Sequence, residues 1–290
     1  MDTQATVTKS NSLITASYKM TLNEIRLIYA VLVNVDQLKP LDPNAYYTVS
    51  AAQWEKYFGV TKDICYTEMK SAVSKLYTRN VIINQSLDGE ESEETRIIQA
   101  KKISKGTGTV GIMFANKICK YLSDLRTHFT SLIIDDVSKL QSSYHIRIYE
   151  LLMAEKYKGN KIYFSLDTLI SLLQPPESMK RTDNFQRNII QEAQKAFKEK
   201  LSFSFDYAPI KEGRKIVGFE FNLIENKRTV KREKKAVLAP AADFSSRLEI
   251  ELFKQLKKEK PTITQEEVLQ QAKLKCVSTI QMLEFLKNQK

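Results

Sequence analysis

The sequence predicts an α+β protein in which one order of elements, helix, strand, helix, turn, helix and β-hairpin, occurs twice. Three observations predict it. Apolar residues recur at helical spacing in the long segments and alternate with period two in the short ones. Gly and Pro, which punctuate structure, fall mostly between these segments. The order found between residues 21 and 114 returns between 138 and 223, without evident sequence identity. A helix-turn-helix whose long second helix leads into a hairpin is the winged-helix arrangement. The chain therefore reads as two tandem winged-helix domains followed by a helical C-terminal extension.

In the first half, Leu22, Ile25, Leu27, Ile28, Val31, Leu32 and Val35 predict an amphipathic helix over 21–37, which Pro40 and Pro43 break. Residues 46–49 make a short strand. Ser50 caps a helix that runs through Tyr57, and Gly59 stops it. A longer helix over 62–79 places Cys65, Met69, Ala72, Val73 and Leu76 on one face. Val81, Ile82 and Ile83 lead into an acidic loop over 88–94. Residues 96–100 and 110–114 are extended, joined by a turn at Gly106 and Gly108. Gly106, Gly108 and Gly111 match the spacing of a phosphate-cradling glycine motif, but no helix should follow them, so they read as a hairpin turn.

In the second half, residues 138–157 are predicted helical, with Leu140, Tyr144, Ile148, Leu151 and Leu152 inward. A strand over 161–165 and a short helix over 167–173, ended by Pro175 and Pro176, come next. A longer helix spans 183–199. Residues 201–207 and 215–223 then alternate with period two around a basic loop at 209–213, which makes a second hairpin.

These elements divide the chain into an N-terminal domain (1–136), a C-terminal domain (137–226), a basic linker (227–243) and a helical extension (244–290). The chain has 290 residues and a net charge of +11, which makes a polyanion a plausible partner. The charge is unevenly placed: +1 over 1–136, +3 over 137–226 and +7 over 227–290. Six basic residues and one acid lie between Lys227 and Lys235. In the extension, Leu248, Leu252, Phe253 and Leu256, a capping box from Thr264 to Glu267, and Ile280, Leu283 and Leu286 predict helices whose role is open.

Enzymatic chemistry fares poorly in this sequence. His128 and His145 are too far apart for a paired metal motif and lack ligand neighbours. No P-loop sequence is present. Tyr29, Tyr144 and Tyr149 sit at core-like helical positions, without the metal site that a DNA-nicking tyrosine would need. Cys65, Cys119 and Cys276 are odd in number and scattered, so no disulfide framework is expected. No signal-peptide pattern and no run of roughly 20 apolar residues occurs. The expectation is a cytoplasmic, non-enzymatic protein with no cofactor, metal or membrane partner.

The second long helix carries the sharpest functional signal. Stepped at 100° per residue, Phe185, Ile189, Ala193, Ala196 and Phe197 form one stripe. Asn184, Arg187, Asn188, Gln191, Gln194, Lys195 and Lys198 gather opposite, with no acid among them. Arg pairs bidentately with guanine, and Asn or Gln with adenine, in the major groove. Lysines suit phosphates, which position without specifying. Lys180 and Arg181 precede this helix, and Lys211, Arg214 and Lys215 flank Gly213 at the wing tip. The corresponding face of the first half, Thr67, Lys70, Ser71 and Ser74, is weakly charged and suits accessory DNA contacts or an interface.

The chain also resembles a known family. Lys9 to Leu13, then Ala16, Tyr18, Leu22, Arg26, Leu27 and Tyr29, is similar to the opening of plasmid replication initiators that bind iterons. The segment from Tyr144 to Leu152 resembles that family's signature, and 184–191 resembles its reading helix. The resemblance implies tandem winged helices and theta-type plasmid replication. It further implies monomers that bind origin repeats in duplex DNA, and dimers formed through the first domain that repress the initiator's own promoter. Host initiator and helicase proteins are implied as partners. Only Arg187 stands where relatives carry several consecutive Arg, which leaves open the base sequence read. The protein sequence barely separates an initiator from a plain transcriptional repressor on the same fold.

Overall fold

The computed structural model describes residues 5–83, 93–123, 125 and 128–225. The first unit begins with β1 (Thr6–Ser10) and α1 (Asn11–Ile14), followed by α2 (Leu22–Leu32), β2 (Tyr47–Ser50), α3 (Ala51–Phe58) and α4 (Lys62–Leu76). A hairpin of β3 (Asn80–Ile83) and β4 (Glu93–Arg96) precedes the wing of β5 (Ile98–Ser104) and β6 (Thr109–Phe114). Then come α5 (Asn116–Leu122), β7 (Phe129–Ile133) and α6 (Ile134–Lys139). The second unit runs from α7 (Ser143–Glu155) through β8 (Lys161–Ser165), α8 (Leu166–Leu173) and α9 (Glu177–Lys180). Its long helix, α10, is continuous through Thr182–Phe185, a π turn at Gln186–Gln191 and Glu192–Lys200. The wing of β9 (Phe203–Glu212) and β10 (Lys215–Glu225) follows.

Sheet topology establishes the repeat that the element order predicted. In the first unit the order is β2-β6-β5, and in the second it is β8-β10-β9. In both, the strand before the helix-turn-helix pairs antiparallel with the returning strand of the wing. The outgoing wing strand therefore lies at an edge each time. That explains how β9 tolerates Pro209, opposite Phe219: an edge strand has a free side on which a missing N–H costs little.

Local signals account for most boundaries. The Ser50 hydroxyl accepts from the Gln53 amide while Gln53 Oε1 accepts from the Ser50 amide at 2.9 Å, a reciprocal cap for α3. Gly59 ends α3 with φ +63, the left-handed region that costs glycine least. The face predicted for α4, Cys65, Met69, Ala72, Val73 and Leu76, is buried in full. Around α10, Phe185 stacks on Phe219 and Phe197 meets Phe205 edge-on at 5.3 Å, so aromatic contacts clamp the helix to its own wing.

Several expectations need correction. The helix expected over 138–157 is two helices, α6 and α7, separated by Leu140 in extended backbone (ψ 128). The break is held by buried Arg26, whose guanidinium donates to the Ser138 and Leu140 carbonyls and to Gln141. Ser142 then caps α7 by accepting from Tyr144 N–H. The helices expected to reach 37 and 79 stop at Leu32 and Leu76. The loop expected at 209–213 is mostly strand, because Gly213 (φ +60) and Arg214 suffice for a two-residue turn with glycine first. Glu93 and Glu94, expected in an acidic loop, pair in β4 with Ile83 and Ile82. The polar start hides a strand, since β1 pairs with β7 from Thr6 opposite Ile133 to Ser10 opposite Phe129. The rest of the acidic loop, the basic linker and the C-terminal helices lie outside the described residues.

One buried polar cluster joins these parts. Glu150 on α7 is fully buried and accepts from Lys9 Nζ on β1, Tyr29 Oη on α2 and Arg147, each at 2.7 Å. Tyr18 donates to the same carboxylate at 3.3 Å, and Arg147 donates to the Ala16 carbonyl. Burial works to raise the Glu150 carboxyl, yet Lys9 and Arg147 beside it hold it down to about 2. The two segments that carry the family resemblance, 132 residues apart between Tyr18 and Glu150, are thus one ionic core. Tyr149, the residue before Glu150 on α7, donates to Asp136 and packs against Phe197 and Phe203. This helix therefore ties the N-terminal strand to the long helix of the second unit.

Candidate nucleic-acid interface

The outer face of α10 is built by a register that buries Phe185, Ile189, Ile190, Ala193, Ala196 and Phe197. Arg187, Asn188, Gln191, Lys195 and Lys198 are left exposed on the opposite side. The side chains of Asn188, Gln191 and Lys195 make no hydrogen bond or ion pair among the described residues. They are available to a partner. The π turn was not legible in a wheel drawn at 100° per residue: it buries Ile190 as well as Ile189.

Asn184 and Gln194 behave differently from their neighbours. The Asn184 amide nitrogen donates to the Ser178 carbonyl at 2.7 Å, and its oxygen accepts from the Arg187 guanidinium at 3.0 Å. Asn184 is half-buried and holds Arg187 in place, which leaves most of the five guanidinium donors for an outside acceptor. Gln194, expected on the outward face, is a correction: its amide donates to the Phe205 carbonyl and to Asp206, which ties α10 to β9.

The flanking cations are placed as follows. Lys180 is paired with Glu177 at 2.5 Å, an exposed contact of the kind that contributes little to stability and yields readily. Arg181 is exposed at the residue before α10. Lys211, Arg214 and Lys215 are exposed around the wing turn, with Glu212 the one acid among them. In the first unit Thr67, Lys70 and Ser71 are exposed on α4, and Ser74 is half-buried. Ile64, 49% exposed, lies three and seven residues before Thr67 and Ser71 and so shares their face.

Three cations on the first wing were missed. Lys101, Lys102 and Lys105 are exposed on β5 and its turn, and Lys101 Nζ lies 5.3 Å from the Tyr77 ring centroid. The signal was present, because no acid occurs between Thr95 and Ser123. Averaging charge over 1–136 concealed it behind the acids at 88–94. Both units therefore present a basic wing, whereas only the second presents Arg, Asn and Gln together on its long helix.

Comparison with known proteins gives concordant results. Residues 6–153 match the model of the family described as initiator replication protein, WH1. Residues 165–223 match that described as initiator Rep protein, WH2. The crystal structure of the Pi initiator protein in complex with iteron DNA superposes with a TM-score of 0.63 at 20% identity, over 78% of this chain and 100% of that one. The WH1 domain of MSBI1.176, a replication protein isolated from a multiple sclerosis patient, matches 35% of this chain and 79% of its own at 24% identity and TM-score 0.31. Domains 2 and 3 of RctB match over 71% and 82% at 10% identity and TM-score 0.45. Among the described residues no helix is long and apolar enough to cross a membrane.

Proposed function

Because this chain belongs to the replication initiator family, with WH1 and WH2 modules in tandem, we propose that it starts plasmid replication by binding repeated duplex sequences at the origin. The observation that carries the reading is the exposed face of α10, on which Asn184 holds Arg187 beside Asn188 and Gln191, whose side chains have no partner among the described residues. Arg187 is assigned to a guanine edge, and Asn188 and Gln191 to adenine edges. Lys195, Lys198, Lys180 and Arg181 are assigned to phosphates, and Lys211, Arg214 and Lys215 to the backbone beside the wing. The Pi initiator protein, whose fold this chain shares, was crystallised with iteron DNA, which supports duplex repeats as the ligand.

The unit up to residue 136 takes accessory contacts in this reading, through Thr67, Lys70, Ser71 and Ser74 on α4, with Lys101, Lys102 and Lys105 added on its wing. Residues 137–226 are the main reader. Monomers bind the origin repeats, whereas dimers formed through the first unit repress the initiator's own promoter. The resemblance supports that division, together with host initiator and helicase proteins as later partners.

The test places the gene and its flanking DNA on a replicon that lacks an origin. Replication of the wild type and its loss with Arg187→Ala, at unchanged protein level, is the expected result. Repression of the gene's own promoter without any replication would instead favour a plain repressor.

A further inference from the structure

The long helix of the second unit and its wing are joined at their rim by one side-chain pair. The Gln186 amide on α10 donates to the Tyr207 hydroxyl on β9 at 3.1 Å, and both residues are half-buried. On the reading of α10 as the DNA-facing helix, we propose that Tyr207 is a further DNA contact, whose hydroxyl donates to a backbone phosphate between the groove face of α10 and the wing. Gln186 is then a positioning residue, which aims the hydroxyl.

Three observations carry the contact. The first is the direction of the hydrogen bond. A tyrosine hydroxyl both accepts and donates. Here Gln186 is the donor, and the hydroxyl proton has no acceptor among the described residues. A donor left over at a half-exposed rim suits an outside acceptor, and a phosphate oxygen offers a charge-assisted bond. The adjacent acid, Asp206, accepts from Gln194 rather than from Tyr207.

Position is the second. Gln186 immediately precedes Arg187 on α10. Side chains alternate along a strand, so Phe205, Tyr207 and Lys211 fall on one side of β9, and Phe205 packs on Phe197 of α10. At about 3.3 Å per residue, Tyr207 stands roughly 13 Å short of Lys211. No Lys or Arg occurs on β9 before Lys211, so the hydroxyl supplies a phosphate donor where the strand has no cation. The third is preorganisation. The Tyr207 ring lies edge-on to Phe219 at 6.0 Å, and Phe219 stacks on Phe185. A hydroxyl on a clamped ring is fixed before DNA arrives, which lowers the entropy cost of the contact.

The test measures the full chain against duplex repeats from the DNA that flanks its gene. Tyr207→Phe removes the hydroxyl and keeps the ring against Phe219. It should weaken every duplex about tenfold with base preference intact. The salt slope should stay unchanged, because a neutral donor releases no counterion, in contrast to Lys211→Ala. Gln186→Ala should cost about threefold alone and nothing further in the Tyr207→Phe background. Single methylphosphonate linkages, which replace an anionic oxygen by a methyl group, are then moved through the repeat. One linkage should weaken the wild type and leave Tyr207→Phe unaffected. Equal losses from Gln186→Ala and Tyr207→Phe, with no linkage that separates Tyr207→Phe from the wild type, would make the pair a brace alone and overturn the proposal. A changed base preference in Tyr207→Phe would also overturn it, by moving the hydroxyl to a base edge. If the wild type fails to bind the repeats, the reading of α10 falls together with this contact. If it binds them and Tyr207→Phe binds as tightly, only this contact falls.

Discussion

The two winged-helix units share a strand order, β2-β6-β5 and β8-β10-β9, and a basic wing, but they differ in what their long helices expose. On α4 the outward residues are Thr67, Lys70 and Ser71, with an exposed Ile64 beside them. On α10 they are Arg187, Asn188, Gln191, Lys195 and Lys198. Wing lysines can hold a phosphate backbone of any sequence, whereas planar Arg, Asn and Gln groups can discriminate base edges. The difference teaches that a duplicated fold need not carry duplicated surface chemistry: both units present a basic wing, and Arg, Asn and Gln stand exposed together on the second long helix alone.

Four experiments strain that comparison, from the largest effect to the smallest. The junction comes first. Glu150→Ala leaves Lys9 and Arg147 buried without their carboxylate, so chemical denaturation should show a loss of about 3–5 kcal/mol. Both units should lose protection together in hydrogen exchange; loss in only one would show that α7 does not couple them. The same group sets an acid limit. Its folded pKa, about 2, lies below its ordinary 4.5, so its stabilisation is present above pH 4.5 and is lost as the pH falls toward 2. The Glu150→Ala variant should lose less stability than the wild type across that window.

Next is the reading face. Arg187→Ala should cost about 1–3 kcal/mol of discrimination at one base pair and leave affinity for unrelated duplex nearly unchanged, by competition binding. An equal loss on every duplex would reassign Arg187 to the backbone and erase the contrast between the units. The first wing is the third target. Changing Lys101, Lys102 and Lys105 together to Ala should weaken all duplexes alike and flatten the salt slope by about 0.9 for each phosphate contact removed. A change in base preference would make the first unit a reader as well. The smallest effect is expected from Lys211→Ala on the second wing, a fall of about 0.9 in slope with preference intact.

Much of this architecture was legible because its determinants are local. Ser50 and Gly59 bracket α3, period two marks the strands, and the Cys65–Leu76 stripe appears on α4 as spaced. What was not legible depends on distant partners. Arg26 divides α6 from α7 across more than 100 residues, and β1 is a strand only because β7 lies beside it. The candidate site divides in the same way. Exposure of Arg187, Asn188 and Gln191 follows from helical periodicity. The inward turn of Gln194 needs β9, and the support of Arg187 by Asn184 needs the Ser178 carbonyl.

The pairing of β1 also governs how the chain comes off the ribosome. Its strand partner lies about 120 residues later, and Glu150 lies 141 residues beyond Lys9. At roughly 5–20 residues per second, β1 waits on the order of ten seconds for that partner. Through that interval it is an unpaired edge carrying a lysine that will later be buried. A charge on such an edge discourages pairing with a second nascent chain. The lysine that completes the ionic core therefore stays charged and without its carboxylate until α7 has been made.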